Sequence, residues 1–259
     1  MDTLSFSFER LIQKHQIGRD TVIHIGANFG QEAEIYDRYG FEDVIWIEAD
    51  PDFCEILKKN VSGRQNHYVI EGLISSDDGR LYDFTRMSND GSSTKKEVTD
   101  LWVSAFSEIE AVSERKLVGH RLDTLLNRMP SIDLLTKRIS LLVIDIEGAE
   151  MEALVSAGDY LDRVDFAWIE VALKPIFKNG PLYSDISQHM RARGFAPIDA
   201  KFGVSSGDVL YKKGAGASIS MLTLLSPGLM QVLSATRFLY FVSMAKTLVK
   251  RMLKSGDRI

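Results

Sequence analysis

Short apolar runs alternate along the chain with longer stretches in which apolar residues recur at helical spacing. The runs are bounded by turn-forming residues, a pattern typical of strands that are buried on both faces. We expect such strands at residues 21–25, 43–49, 67–75, 139–145, 164–173 and 207–213, the last of them near an edge of the sheet. This alternation predicts an α/β fold in which helices cover both faces of a mostly parallel sheet.

The stretches between the strands carry helix start and stop signals. Gly40 follows the first helical stretch as a C-terminal stop, whereas Asp50 and Pro51 provide the next helix with a capping residue and a proline at its first position. We expect the helices at residues 32–40, 50–61, 120–129, 149–157 and 184–194.

The region after the third strand gives a weaker signal. Asp78 and Gly79 form a turn sequence between two β-prone segments, which predicts a hairpin. Residues 88–93, with the sequence SNDGSS, follow as a polar loop that could close over a hydroxyl-rich ligand.

Length and composition fit one domain with short appendages. A chain of 259 residues can bury one large core, which we place at residues 21–213, preceded by an N-terminal helix within residues 1–20. The net charge of -5 argues against a nucleic-acid-binding protein. A lone cysteine, Cys54, fits a reducing cytoplasm, and the N-terminal residues lack the basic and apolar regions of a signal peptide.

The C-terminal residues 214–259 differ in composition from the rest and are expected to form a helical extension. Residues 214–236 carry no charge, and residues 237–254 place apolar side chains on one helical face and lysines on the other. A basic amphipathic helix of this kind can lie on an anionic membrane surface, here the inner face of the membrane. It could equally pack on the main domain or form a homodimer contact.

A glycine-rich turn joins the first strand to the first helix. Gly26 and Gly30 lie in it, and in a doubly wound sheet this turn is at the carboxyl edge, where ligands bind. The next strand ends with Glu48, at the position from which an acid usually binds the hydroxyls of an adenosine ribose. The pair predicts a cofactor that contains a nucleoside.

The spacing of the turn favours one such cofactor. Dinucleotide-binding turns have the pattern G-x-G-x-x-G, whose middle glycine admits pyrophosphate, and here Asn28 occupies the middle of the turn. S-adenosylmethionine has no phosphate and does not need that room. The turn therefore favours a methyl donor over a nicotinamide dinucleotide, although a nicotinamide-dependent oxidoreductase stays the alternative.

Several motifs together resemble the FkbM-type methyltransferases. They are VIHIGANFGQ, WIEADP, SNDGSS, LDTLL, LLVIDIEGAEMEAL and GDVLY, in the order that the family has, and the resemblance covers residues 21–213. It implies a class I, Rossmann-like fold with a seven-stranded, mostly parallel sheet whose last strand is antiparallel. It also implies an S-adenosylmethionine-dependent enzyme, with a sugar, glycan or polyketide hydroxyl as the acceptor.

The resemblance implies a set of cofactor-binding residues. Glu48 would bind the ribose, the backbone from Leu73 to Ser75 would flank the adenine, and the methionine end would be surrounded by Gly26, Ala27, Asn28 and Gly30. The family usually has Asp where this chain has His24. His24 could exchange a hydrogen bond with the cofactor in place of that acid, could be a core histidine, or could mark a cofactor-binding module that has lost activity.

Carboxylates cluster where the strand at residues 139–145 ends. Asp145 and Glu147 are two residues apart and share a face if the chain stays extended, and Glu170 reaches the same edge from the neighbouring parallel strand. We expect Asp145 to be the base or the orienting group for the acceptor hydroxyl, with Glu147 and Glu170 binding other hydroxyls. Glu150 falls in the first helical turn, where an acid also favours the helix dipole.

A divalent cation is the competing use of these acids, because oxygen ligands suit magnesium and calcium. The sequence has no metal-loop spacing, so we assign no metal site. The acceptor itself is not encoded in a motif, since its pocket is expected to be built from residues 86–120 and 174–182.

Overall fold

The computed structural model describes residues 8–89, 93–129, 134 and 136–215. Ten strands form, in chain order, β1 (Thr21–Ile25), β2 (Asp43–Glu48), β3 (His67–Glu71), β4 (Leu73–Ile74), β5 (Leu81–Met87), β6 (Ala111–His120), β7 (Ile139–Ile144), β8 (Val164–Ala172), β9 (Phe195–Phe202) and β10 (Ser206–Lys213). The α-helices are α1 (Phe8–Lys14), α2 (Ala33–Tyr39), α3 (Pro51–Asn60), α4 (Asp100–Ala105), α5 (Leu122–Asn127), α6 (Glu150–Ser156) and α7 (Tyr183–Ala192).

Seven of the strands form one sheet in the order β3-β2-β1-β7-β8-β10-β9. The first five are parallel to their neighbours, and β10 runs antiparallel to both β8 and β9. The predicted Rossmann-like sheet with an antiparallel last strand is therefore confirmed. Because β1, β2 and β7 are buried along their whole length, their continuous apolar runs face helices or loops on both sides.

The capping signals that were read from the sequence act as expected. The side chain of Asp50 accepts a hydrogen bond from the backbone N–H of Asp52, with Pro51 at the first position of α3. Gly40 ends α2 in the left-handed conformation, with φ of 71°.

The strand predicted at residues 67–75 is interrupted at Gly72, which separates it into β3 and β4. The N–H of Gly72 donates to the carbonyl of Glu48, and a Cβ at residue 72 would lie 2.8 Å from Leu125 Cδ1. As a result β3 stays in the large sheet, whereas β4 leaves it for a three-stranded sheet of order β4-β6-β5.

The predicted hairpin at Asp78 and Gly79 is wrong. Strands β4 and β5 do not pair with each other, because both pair with β6, the first parallel and the second antiparallel. The N–H of Gly79 accordingly donates to the carbonyl of Gly119 on β6. Strands β6 and β9 were not expected from the sequence.

The N-terminal helix is among the described residues, whereas most of the C-terminal extension is not. Helix α1 packs the side chains of Phe8, Leu11 and Ile12 into the core of the main domain. The predicted extension at residues 214–259 lies outside the described residues from residue 216 onwards, as does the amphipathic segment 237–254. Within the described ranges, no helix has the length and apolar character needed to cross a membrane.

Candidate functional site

A cleft opens at the carboxyl ends of β1, β2 and β7. Its lining combines the glycine turn, the ends of three parallel strands, the strand break and a segment beyond the polar loop. The lining residues are Ile25, Gly26, Asn28, Ile47, Glu48, Ala49, Phe53, Gly72, Leu73, Ile74, Phe84, Ser93, Thr94, Lys95, Asp145, Ile146, Glu147 and Ala149. Most of the predicted site residues thus meet in one place.

The glycine turn is shaped by how closely two strand ends approach. Gly26 has φ of 81°, and a Cβ at this position would lie 1.7 Å from the carbonyl oxygen of Asp145. A glycine is required here by the backbone itself, whatever ligand the turn also meets. Gly30 has φ of 73° and faces Leu57 of α3, and the Ala27 side chain lies in the core, so neither is among the cleft-lining residues that are described.

Glu48 is held at the end of β2 by backbone donors. Its two carboxylate oxygens accept the N–H groups of Asn28 at 2.7 Å and of Asp50 at 2.8 Å. Burial raises the pKa of Glu48 to about 6, against the lowering effect of these hydrogen bonds. Since a carboxylate offers about four acceptor positions, Glu48 retains capacity to accept hydrogen bonds from a ligand in the cleft.

His24 lies behind the cleft, in the core. Its Nδ1 is 3.0 Å from the hydroxyl of Tyr36, its ring stacks on Trp46 with centroids 5.3 Å apart, and Glu32 Oε2 is 3.9 Å away. Burial lowers the pKa of His24 to about 3, so the imidazole is neutral. The His24 side chain therefore packs against core residues, and it is not among the described residues that line the cleft.

The adenine-flanking positions differ from each other. Leu73 lines the cleft, whereas the Ser75 side chain is fully buried and its hydroxyl donates to the carbonyl of Asp77 at 2.6 Å. The backbone N–H of Ser75 donates to His120 on β6. The polar groups of Ser75 thus fix the start of the small sheet.

The predicted acid cluster is present. A carboxylate oxygen from each of Asp145, Glu147 and Glu170 lies within 4.8 Å of the other two. Asp145 and Glu170 are brought together by the parallel register of β7 and β8, in which Ile144 pairs with Ile169.

Glu147 reaches the cluster for a reason that differs from the prediction. Strand β7 ends at Ile144, and Glu147 adopts a left-handed conformation with φ of 52°, so the extended geometry has already ended. The carboxylate of Glu150 accepts the N–H of Gly148 at 3.0 Å and thereby stabilises the turn. Glu150 is therefore a buried turn-forming residue.

The carboxyl groups at this edge hold their protons more tightly than usual. Burial is the main cause of the raised pKa values of Asp145 and Glu170, and the charges of Glu147 and Asp145 raise the pKa of Glu170 further. The pKa values of Glu150 and Asp208 are also raised by burial, in each case to about 7.

Sequence reasoning missed one wall of the cleft. Phe53, Phe84, Thr94 and Lys95 line it, and three of these come from the small sheet or from the segment beside it. Their positions depend on the pairing of β5 with β6, which no local pattern indicated. Asp208 was also missed, although it belongs to the quoted GDVLY motif and lies opposite Glu170 in the register of β10 and β8.

The two regions that were expected to form the acceptor pocket, residues 86–120 and 174–182, contact each other through backbone hydrogen bonds. Val98 and Phe177 form an antiparallel bridge, the N–H of Thr99 donates to Ile176, and the N–H of Lys178 donates to Glu97. The SNDGSS loop falls partly outside the described residues, because residues 90–92 are not described.

The chain is similar to several solved methyltransferase structures at low identity. The chain is similar to magnesium protoporphyrin IX methyltransferase from Synechocystis PCC 6803 with bound SAM, with TM-score 0.45, 8% identity, and coverage of 82% of this chain and 78% of that one. It is also similar to TrmK from M. capricolum in complex with S-adenosyl-homocysteine, with TM-score 0.43, 9% identity, and coverage of 83% and 73%.

No curated protein matches the chain. The model of the methyltransferase FkbM domain, however, matches residues 24–197, which is more than half of the chain. The chain therefore belongs to the FkbM methyltransferase family.

Proposed function

We propose that this S-adenosylmethionine-dependent methyltransferase methylates a hydroxyl group of a sugar, a glycan or another hydroxyl-bearing compound. The observation that carries the proposal is the convergence of Asp145, Glu147 and Glu170 beside the glycine turn. Carboxylates accept hydrogen bonds from hydroxyl groups, and one of them can take a proton from the acceptor.

The residues of the cleft fit the cofactor that the family uses. Glu48 offers acceptor positions for ribose hydroxyls, Leu73 and Phe53 offer apolar surface for a base, and Asn28 lies at the glycine turn. When bound, S-adenosylmethionine supplies an electrophilic methyl group.

The chain's own residues orient the acceptor and take its proton. Asp145 lines the cleft beside the glycine turn, and its carboxylate can accept the hydroxyl proton. Glu147 is positioned to accept a hydrogen bond from a second hydroxyl. The raised pKa of Asp145 brings its basicity closer to that of a base working near neutral pH.

Calorimetric titration tests the cofactor. We expect S-adenosylhomocysteine to bind and NAD not to bind, and we expect Glu48→Ala to weaken the binding about tenfold or more, as for the loss of charged hydrogen bonds. Binding of NAD alone would favour the nicotinamide-dependent oxidoreductase. Binding of neither ligand would favour a non-catalytic module and overturn the proposal.

Transfer of a labelled methyl group to a panel of sugars and glycans tests the acceptor and the base. Asp145→Asn should lower transfer by roughly a hundredfold or more while the dissociation constant of S-adenosylhomocysteine changes less than about threefold. The matched control is Asp83→Asn, an exposed carboxylate on β5 that pairs with Lys116. Full transfer by Asp145→Asn would contradict the assigned role.

The same three carboxylates could instead hold a hard divalent cation, which prefers oxygen ligands. Treatment with a chelator separates the two uses. Transfer that survives the chelator supports proton transfer by the carboxylates, whereas transfer that is lost and then restored by magnesium assigns them to a cation.

We also propose, from the sequence pattern alone, that residues 237–254 make a peripheral membrane contact, with a homodimer contact as the alternative. A chain ending at Lys213 should lose binding to anionic vesicles or should change its oligomeric state. If it behaves like the full chain in both assays, the segment has neither role.

A further inference from the structure

A short segment beyond the polar loop covers one side of the cleft. We call residues 93–96 the strap. Ser93, Thr94 and Lys95 line the cleft together with Gly26 and Glu48, although more than forty positions separate the two groups in sequence. The strap is therefore part of the site. Ser93 is the last residue of the SNDGSS motif, whereas Thr94, Lys95 and Lys96 belong to none of the sequence motifs.

Thr94 attaches the strap to the acid edge. The Thr94 hydroxyl donates to the carbonyl of Glu147 at 2.7 Å, at the residue that has the left-handed backbone. Thr94 and Thr85 also exchange two backbone hydrogen bonds, of 2.8 and 2.9 Å. Thr94 is buried, so these contacts are shielded from water.

The next residue, Lys95, attaches the strap beside the strand break, which is the expected adenine side. The Lys95 ammonium donates to the carbonyl of Ile74 at 2.6 Å and to Glu152 at 2.6 Å, and it lies 4.3 Å from the centroid of the Tyr82 ring. The Lys95 side chain is only 2% exposed. A buried ammonium is costly unless it is paired, and Glu152 provides the pairing charge.

We propose that Lys95 is a cofactor-binding residue that contacts the adenine end of S-adenosylmethionine, and that the strap retains the cofactor. An ammonium attracts the π face of an aromatic base, and its N–H groups can donate to the ring nitrogens of adenine. Lys95 is the only lysine in the described cleft lining, and it adjoins Leu73 and Ile74 there. The inference rests on the proposed cofactor site.

Lys96 provides a matched control for Lys95. Both lysines pair with Glu152, Lys95 with Oε2 and Lys96 with Oε1, but Lys96 is not among the described cleft-lining residues. A substitution at either position removes one partner of Glu152. Only a substitution at Lys95 also removes a group from the cleft.

The test is calorimetric titration of S-adenosylhomocysteine and of adenosine into the full chain and its variants. Lys95→Met should raise the dissociation constants of both ligands tenfold or more, and by similar factors, because both contain adenine. Lys96→Met should change them less than threefold. Equal effects of the two variants, or an effect of Lys95→Met on S-adenosylhomocysteine but not on adenosine, would overturn the inference.

Hydrogen exchange of the wild-type chain keeps the inference testable if Lys95→Met does not fold. S-adenosylhomocysteine should slow amide exchange in a peptide that contains the strap. It should leave amide exchange unchanged at residues 111–117 of β6, which are not among the described cleft-lining residues. Unchanged exchange in the strap would overturn the inference. If the wild-type chain does not bind S-adenosylhomocysteine at all, the proposed function fails and this inference fails with it.

Discussion

The imidazole of His24 is enclosed by two aromatic rings and an acid. Tyr36 exchanges a hydrogen bond with it, Trp46 stacks on it, and Glu32 lies beside it at 3.9 Å. Burial raises the pKa of Glu32 to about 7 and lowers that of His24 to about 3, so this neighbourhood favours neutral groups. An aspartate at this position, which the family usually has, would place a second acid beside Glu32.

We therefore predict that changes at His24 act on stability and leave cofactor affinity almost unaffected. His24→Asn can keep a hydrogen bond to Tyr36 but loses the stacking on Trp46, and should lower the free energy of unfolding by about 1–3 kcal/mol. His24→Asp should cost more, because it buries a second acid. Urea denaturation at pH 7 measures the first quantity and titration with S-adenosylhomocysteine the second. Tenfold weaker binding with unchanged stability would instead give His24 the cofactor role suggested by the resemblance.

The acids of the site could be predicted individually, because parallel strands end at a common edge. Asp145 and Glu170 follow that rule directly. Glu147 was predicted to be near them for the wrong reason, since its left-handed backbone depends on the turn beyond the strand. Lys95 could not be predicted, because it approaches the cleft from a sheet whose pairing is not local in sequence.

At the scale of elements, the turn after β1 and the turn after β7 are built against each other. The Asp145 N–H donates to the carbonyl of Ile25, and Gly26 faces the Asp145 carbonyl. Any side chain at residue 26 must displace the strand end that carries the proposed base.

We predict that Gly26→Ala lowers the free energy of unfolding by far more than the cost of placing an alanine in the left-handed conformation. A left-handed alanine costs about 1–2 kcal/mol, and here its Cβ would in addition lie 1.7 Å from the Asp145 oxygen. The matched control is Gly63→Ala, since Gly63 has φ of 86° and nothing within 4 Å of its Cβ position. Thermal unfolding of both variants should show a clearly larger loss for Gly26→Ala, and equal losses would contradict the close approach.

The elements that the sequence predicted well share one property, which is an apolar run buried on both faces. Strands β1, β2 and β7 are of this kind. Most positions of β5 and β6 are instead exposed or half-buried, so neither strand contains an apolar run buried on both faces. The break at Gly72 depends on a contact with Leu125 in a distant helix, which a local pattern does not contain.

At the scale of the whole molecule, acidic side chains are concentrated at one edge of the large sheet. The net charge is only -5, yet five acids approach the carboxyl ends of β7 and β8 and the start of β10, namely Asp145, Glu147, Glu150, Glu170 and Asp208. Four of them have raised pKa values, chiefly through burial. This edge therefore opposes folding once its acids ionise.

We predict that ionisation of Asp208 lowers the free energy of unfolding as the pH rises. Asp208 has a folded pKa of about 7 against 3.8, so its contribution to stability is full below pH 3.8 and is lost as the pH rises through about 7. Asp208→Asn cannot ionise and keeps this contribution. Its free energy of unfolding should match the wild type near pH 4 and exceed it at pH 8 by on the order of 1–3 kcal/mol.

The control for this sign is Asp162→Asn, because Lys213 holds the pKa of Asp162 below its usual value. That carboxylate stabilises the fold above its unfolded pKa, so Asp162→Asn should be the less stable chain at neutral pH and should approach the wild type in acid. Urea denaturation from pH 4 to pH 8 compares all three chains. If Asp208→Asn is less stable than the wild type at pH 8, Asp208 is stabilised as a carboxylate by Trp168 and Lys201, and the acid edge does not oppose folding at this position.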